Sequence, residues 1–422
     1  MKTILLFFAL LFFMLVSCNK EDTPLPPASI EIKLGAILDL TGDYSEAGLS
    51  GKAAIELALE NLNQRYASVG SPLWFSATYT DTHMDTNLTL KAAKAMYANG
   101  IRLLVAGPGN STELKSIKSY LDANKMLAVT CFSSSPSLAI PDDYIFRLIT
   151  DDNVQGQALV KMLEYDTIQV LIPIWREDTY GTGLYQTVKQ KFEAQGGIVL
   201  PGISYSPGTS DYQEMIGQIA SQAKAAIATF GASKVAVILI SYQEAVDFLK
   251  SASEENDLSL VKWYGCDANV QKAALASDPI AAPFALKVRF LAPIMGIGTA
   301  DQFPAPAQEL SDQIYTKTGL HPDAYALSAY DAVQIYGLAF DLVQSYDATR
   351  IKTILPAVCE SYNYLGISRK LNAAGDLATA NYIFWTVKDI PGGYEWESFA
   401  TYMASGNYIL LKSRRGHTLN IR

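Results

Sequence analysis

From residue 30 onward the chain alternates short apolar runs with stretches whose apolar residues recur every three or four positions. The run IEIKLGAIL (30–38) predicts a buried strand, and GLSGKAAIELALENLNQRY (48–66) a helix with one apolar stripe. Strand LWFSATYT (73–80), helix 86–100, strand IRLLVAG (101–107), helix 111–125 and strand MLAVT (126–130) follow. After YIFRLITDDNVQG (144–156) the rhythm restarts. Helix 153–164, strand IQVLIPI (168–174), helix 181–197 and strand IVLPGISY (198–205) come first; helix 211–229, strand KVAVILI (234–240), helix 243–252 and strand LVKWYG (260–265) come next. Strand–helix alternation at this spacing predicts an α/β fold of right-handed βαβ units, each half a mainly parallel sheet covered on both faces. A strand at 286–294, a long helix at 322–346 and β-like segments at 375–389 and 393–399 trail behind. Two Rossmann-like halves with trailing pieces admit two topologies, tandem domains or lobes that the chain crosses more than once. Periodicity does not choose between them.

Composition narrows the class. With 422 residues, 49% of them hydrophobic, the chain can bury its core without disulfides or metal. A net charge of −9 and the lack of any long Lys/Arg run argue against a nucleic-acid partner. The start, Met1-Lys2 then ILLFFALLFFMLV (4–16), has the length of a signal peptide (1–17) and is short for a membrane span. LVSC (15–18) resembles a bacterial lipoprotein box, which makes Cys18 the lipidated N-terminus and polar, Pro-rich 18–30 a tether. NKED after Cys18 resembles a surface-export signal, so the expected location is the cell envelope, on the periplasmic face or the outer-membrane surface. Cys131, Cys266 and Cys359 remain, an odd number; Cys131 and Cys266 follow strands in opposite halves and are expected unpaired. With no Cys-x-x-Cys and with His83, His321 and His417 scattered, neither a metal site nor a cofactor is expected.

In open α/β sheets, ligands bind beyond the carboxyl ends of the strands, so the residues just after each strand carry the candidate chemistry. GPGNST (107–112) offers glycines for close backbone approach, then Asn110 and Ser111 at a helix N-terminus, an anion seat or plain capping. TCFSSSP (130–136) offers Phe132, Ser133 and Ser134, with Ser135 capping a short helix that opens at Pro136. A serine nucleophile there would need a base, and only His83 is a candidate; the Gly-x-Ser-x-Gly elbow is absent, which leaves an envelope hydrolase a remote alternative. The second half offers Trp175, Arg176, Asp178 and Tyr180 in WREDTYGTG, Tyr242 in SYQE and Asp267 in CDAN. Each has a plainer reading, as loop packing for the tyrosines and as a helix cap for Asp267. Their shared place after successive strands favours a small, partly charged molecule.

At these residues the sequence resembles the leucine/isoleucine/valine-binding protein family, the type I periplasmic binding proteins of ABC transporters. The likeness covers about residues 31 to 389. It runs through KLGAILDLTGDYSEAGLSGKAAIELALENLN, LLVAGPGNSTELKSI, AVTCFSSSPSLA, YIFRLITDDNVQGQAL, EDTYGTGL, PDAYALSAYDAV and NAAGDLATANYIFWTVKD, seven stretches in family order. The resemblance implies a Venus flytrap of two lobes joined by a three-strand hinge, with 31–149 and 289–376 in lobe one and 150–288 and 377–422 in lobe two. It implies that Ser111 (with Asn110 as the alternative), the Phe132 backbone and the Ser134 hydroxyl hold a ligand carboxylate. Tyr180 and Tyr242 would line lobe two, and Asp267 would meet a ligand ammonium. Ser133 joins the serine loop without an assigned role. The chain departs from the family at Phe132, where small residues are common, so that its ring is expected to narrow the pocket. It departs again at Trp175 and Arg176, and Arg176 is free to grip a second carboxylate or to pair with Glu177 or Asp178. The reading is a lipid-anchored solute-binding protein that captures a small amino acid-like ligand for an ABC permease, with no reaction. A sensor or scavenger of an amide or carboxylate is the alternative.

Overall fold

The structure, a computed structural model, describes residues 29–413. The signal peptide, Cys18 and most of the tether, and residues 414–422, lie outside the described residues. Lobe one opens with β1 (Ile30–Leu38), α1 (Ser45–Ser68), β2 (Leu73–Asp81), α2 (Thr86–Ala98), β3 (Leu103–Ala106), α3 (Ser111–Asn124), β4 (Leu127–Thr130) and β5 (Ile145–Arg147). Its sheet has the order β2-β1-β3-β4-β5 and is parallel throughout. The side chains of β1, β3 and β4 point alternately to two faces, and both faces are covered. Leu34, Ala36, Leu38, Leu103, Val105, Leu127 and Val129 join a core that includes α1, while Ile37, Leu104 and Ala128 join a second one built on Met96, Leu114, Ile117 and Leu121 of α2 and α3. That double burial is why β3 and β4 read as short apolar runs, while β1 carries exposed Glu31 and Lys33 in its first half.

Lobe two holds α4 (Asp152–Tyr165), β6 (Val170–Arg176), α5 (Thr179–Ala194), β7 (Ile198–Val199), β8 (Ile203–Tyr205), α6 (Gln213–Phe230), β9 (Val235–Ile240) and α7 (Ala245–Ala252). It continues with β10 (Lys262–Tyr264), α8 (Ala273–Ser277), α9 (Ala281–Lys287) and β11 (Leu291–Met295). The chain then returns to lobe one with α10 (Ala305–Thr318), α11 (Ala324–Val343) and α12 (Ala348–Ser361), α10 and α11 packing on α1. It ends in lobe two with β12 (Tyr382–Ile390), β13 (Gly393–Met403) and β14 (Tyr408–Leu411). The second sheet runs β14-β13-β12-β11-β10-β9-β6-β7, with β8 also on β6. It is parallel from β11 to β7 and antiparallel from β11 to β14.

Two sequence expectations are corrected here. The run 198–205 is two short strands, because Pro201 interrupts it and Gly202 turns the chain at φ +61. The return to lobe one does not begin at 289: Leu291–Met295 pairs with β10 and β12, so the crossing follows Met295. Residues 286–294 also divide, into the end of α9 and the start of β11.

Two buried ion pairs fasten the other crossings. Arg147, at the end of β5, meets Asp376 through Nη2 and Oδ2 at 2.6 Å, and the Leu377 N–H donates to the Arg147 carbonyl at 2.8 Å. Arg369 meets Asp331 of α11 at 2.6 Å and donates to the Leu148 carbonyl at 2.9 Å. Both arginines are fully out of water, where an unpaired charge would be strongly unfavourable.

Candidate functional site

The carboxyl ends of the parallel strands of the two lobes face each other. Lobe one contributes the turns after β1, β3 and β4; lobe two contributes those after β6, β9 and β10. The lobes touch across this cleft: the Thr179 N–H donates to Thr112 Oγ1 at 3.2 Å, and Ser135 Oγ donates to the Thr179 carbonyl at 3.1 Å. A glycine at 183 makes the approach possible, since a Cβ there would stand 2.9 Å from Ser135 Oγ.

On the lobe-one side, α3 begins at Ser111 and Asn110 caps it, its Oδ1 accepting from the N–H groups of Thr112 and Glu113 at 3.0 Å each. Ser111 Oγ accepts the Ser135 N–H at 3.1 Å, so its own proton is left to donate. Among the described residues, the N–H groups of Phe132, Ser133 and Ser134 meet no protein acceptor, though all three residues are buried. Buried N–H groups call for a partner. Set beside the N-terminus of α3, they form a seat for an anion.

On the lobe-two side stands Asp267, beyond β10. Its carboxylate accepts hydroxyl protons from Tyr180 at the start of α5 and from Tyr325 at the start of α11, one per oxygen. Its N–H donates to Gln155 Oε1 at 3.0 Å, and Gln155 Nε2 donates to Asp152 Oδ1 at 2.8 Å. Asn269 shapes the turn by accepting the Cys266 N–H at 2.9 Å. Burial pushes the Asp267 carboxyl up, opposed by the Tyr180 and Tyr325 hydroxyls. Burial pushes Asp152 well above the usual carboxylate range and the neighbouring Asp267 charge adds to it, while the Ser134 hydroxyl pulls the other way. Asp152 Oδ2 is buried without a hydrogen-bond partner. Two buried carboxyls thus lie together, both Asp267 oxygens held by tyrosine hydroxyls and one Asp152 oxygen without a protein donor.

Aromatic rings close the sides. Tyr44 lies edge-on to Phe132, centroids 6.3 Å apart, and to Tyr242 at 5.3 Å; Tyr242 lies 5.5 Å from Tyr180.

The structure therefore brings Ser111, the Phe132 backbone, Ser134, Tyr180, Tyr242 and Asp267 together. It sets four sequence candidates aside. Asn110 Nδ2 is committed to Asp39 Oδ2 (3.1 Å) and Glu113 Oε2 (2.7 Å), beneath the seat rather than in it. The Ser133 hydroxyl turns to the Pro108 carbonyl at 3.4 Å. Trp175 stacks on Tyr185 of α5 at 3.9 Å. Arg176 is consumed by Asp178 (3.0 Å) and Glu244 (2.9 Å), so it is not free for a ligand carboxylate, and Glu177 is not its partner. The Phe132 ring, expected from the sequence to narrow the pocket, stands edge-on to Tyr44. It packs into lobe one, where a Cβ on Gly51 would lie 2.7 Å from Cζ. His83, the candidate base, bonds Thr41 Oγ1 at 3.0 Å on an exposed turn.

Sequence reasoning missed Tyr44, Asp152, Gln155, Lys272 and Tyr325. Tyr44 and Lys272 lie in turns after β1 and β10, so the strand-end rule could have found them. Asp152 follows β5 at the start of α4, within reach of the same rule, whereas Tyr325 opens α11 and follows α10, with no strand before it to mark it. Cys131, Cys266 and Cys359 are free and buried; burial pushes the thiols of Cys266 and Cys359 up to about 12.

A model of the receptor family ligand binding region matches residues 51–381. An uncharacterized protein of Methanocaldococcus jannaschii, MJ1266, is 27% identical over 391 residues, spanning 88% of this chain and 91% of its own length. A solute-binding protein of an ABC transporter from R. palustris, solved with 4-hydroxybenzoate, superposes with TM-score 0.73 at 14% identity, over 89% of this chain and 98% of that one. The branched-chain amino acid transporter substrate-binding protein LivJ of Streptococcus pneumoniae, solved with isoleucine, gives 0.69 at 15%, over 87% of this chain and all of that one. At these identities the structures speak for the fold: two α/β lobes of the type I periplasmic binding protein kind.

Proposed function

Since the chain belongs to the family of receptor ligand-binding regions, we propose that it is a solute-binding protein that closes its lobes around a small amino acid-like zwitterion and delivers it to an ABC-type permease. The observation that carries this reading is one of charge. An anion seat of N–H groups and the Ser111 hydroxyl in lobe one faces a cation seat of Asp267 and Asp152 at the lobe boundary. An α-carboxylate suits the first and an α-ammonium the second, and charge-assisted hydrogen bonds are the strong ones. Tyr325 on lobe one and Tyr180 on lobe two both hold Asp267. The ligand thus binds to groups that come together only when the lobes close, and a permease can read closure as occupancy. On this reading Cys18 carries the lipid that keeps the protein at the cell envelope.

Thermal shift against a panel of amino acids, amides and small carboxylates tests the proposal, because a ligand of the folded state raises the melting temperature. Amino acids are expected to stabilise the protein and Asp267→Asn to remove the effect. Stabilisation by benzoates or other plain carboxylates with no amino acid response would sink the zwitterion reading. Mass spectrometry of the N-terminus from membrane extracts tests the anchor; an unlipidated cut elsewhere than before Cys18 refutes it.

A further inference from the structure

Lys272 is a buried cation without a carboxylate partner. It follows the turn that carries Asp267, only 6% of it is exposed, and the Trp396 indole N–H pins its backbone carbonyl at 3.0 Å. Its ammonium crosses to lobe one and rests over the Tyr44 ring, 5.1 Å from the centroid. Among the described residues no carboxylate oxygen lies within 4.0 Å of it. Asp323 is the nearby acidic group on which its charge acts: burial pushes the Asp323 carboxyl up, and the Ala326 N–H and Lys272 oppose that. Yet Asp323 is occupied as the cap of α11, accepting the Ala326 N–H at 2.8 Å. Arg176, the other cation of lobe two near the cleft, is held by two carboxylates at 2.9–3.0 Å. Lysine is rarely this buried unless something anionic meets it.

A zwitterion oriented by the two seats places its α-carboxylate at Ser111 and residues 132–134 and its α-ammonium at Asp267. The side chain is left to the wall made by Tyr44, and Lys272 overhangs that wall. We infer that Lys272 reads a second anionic group at the end of the ligand's side chain, so that this site takes acidic amino acids. The inference rests on the zwitterion reading and names its ligand class. The three charges of such a ligand each then meet a counterpart: neutral donors for the α-carboxylate, Asp267 for the ammonium, Lys272 for the distal carboxylate.

Calorimetric titration of the full-length protein with L-glutamate, L-aspartate, L-glutamine, L-asparagine and L-leucine tests it, alongside Lys272→Met and Lys272→Arg. Wild type is expected to bind one acidic amino acid at least about tenfold more tightly than its amide. Lys272→Met should erase that ratio and Lys272→Arg retain it. A role limited to clasping Tyr44 would weaken all ligands together and leave the ratio unchanged, which would overturn the inference. Tighter binding of an amide or of leucine by wild type would overturn it too, with the zwitterion reading intact. No response to any amino acid would overturn both.

Discussion

Arg147 and Asp376 meet side-on at a lobe crossing, Nε to Oδ1 at 2.5 Å and Nη2 to Oδ2 at 2.6 Å, with neither side chain exposed. The same guanidinium donates through Nη1 to the carbonyls of Ser133 and Ser135 at 3.1 and 2.9 Å. The crossing and the serine loop are thus held by one cation. Arg147→Met leaves Asp376 buried and unpaired, and is expected to lose about 3–5 kcal/mol of stability. Arg147→Met with Asp376→Leu should recover most of that. Urea denaturation checks both, and a double variant no better than the single would refute the account.

Gly51 and Phe132 form a matched pair. A methyl at 51 meets the ring at 2.7 Å, and the ring or the helix must shift. Gly51→Ala is expected to destabilise by about 1–3 kcal/mol, as overpacking does. Adding Phe132→Leu should relieve it. Melting curves of the three variants decide the matter, and additive losses would show that the two positions are independent.

Asp39 and Glu113 share the Asn110 amide and repel each other, so burial and the Asp39 charge push Glu113 up to about 8. A raised carboxyl holds its proton more tightly folded than unfolded. Its contribution to stability is full below the ordinary value of 4.5 and is lost as pH rises to about 8. Glu113→Gln keeps a neutral side chain at every pH, so its stability should fall less than wild type's between those limits. Denaturation midpoints across that range measure it.

Asp267 and Asp152 are likewise pushed up by burial. An ammonium ligand favours their ionised forms, so binding should release protons and strengthen as pH rises through the raised values. Calorimetry in buffers of different ionisation enthalpy reads the protons directly; uptake instead of release contradicts the assignment. Asp267→Asn should weaken an amino acid by about 10–100-fold.

The thiols of Cys131, Cys266 and Cys359 are buried and free. In a Cys18→Ser variant a thiol reagent should find none of them in the native protein and three after unfolding. A rapid reaction in native buffer would show that one is accessible.

The sequence alone determined most of the strands and the longer helices, though not the division of 198–205 into β7 and β8 or of 286–294 into the end of α9 and β11. Strands such as β3 and β4 are buried on both faces, so their apolar runs are continuous, and α1 is apolar where it meets the sheet and α10 and α11. It also singled out Ser111, Ser134, Tyr180, Tyr242 and Asp267, which lie just past strand ends and which the fold brings to one cleft. Only the tertiary structure decided which neighbours each would spend its bonds on. Arg176 looked available until Glu244, 68 positions later, reached it. The Phe132 ring, read from the sequence as narrowing the pocket, fills the space over Gly51, 81 positions earlier. Tyr325 joined Asp267 because the chain leaves lobe two after β11, builds α11 in lobe one and only then returns for β12, a path that no local pattern encodes. Charge satisfaction and steric fit are settled between residues far apart in the chain, and there the fold rather than the local pattern decides.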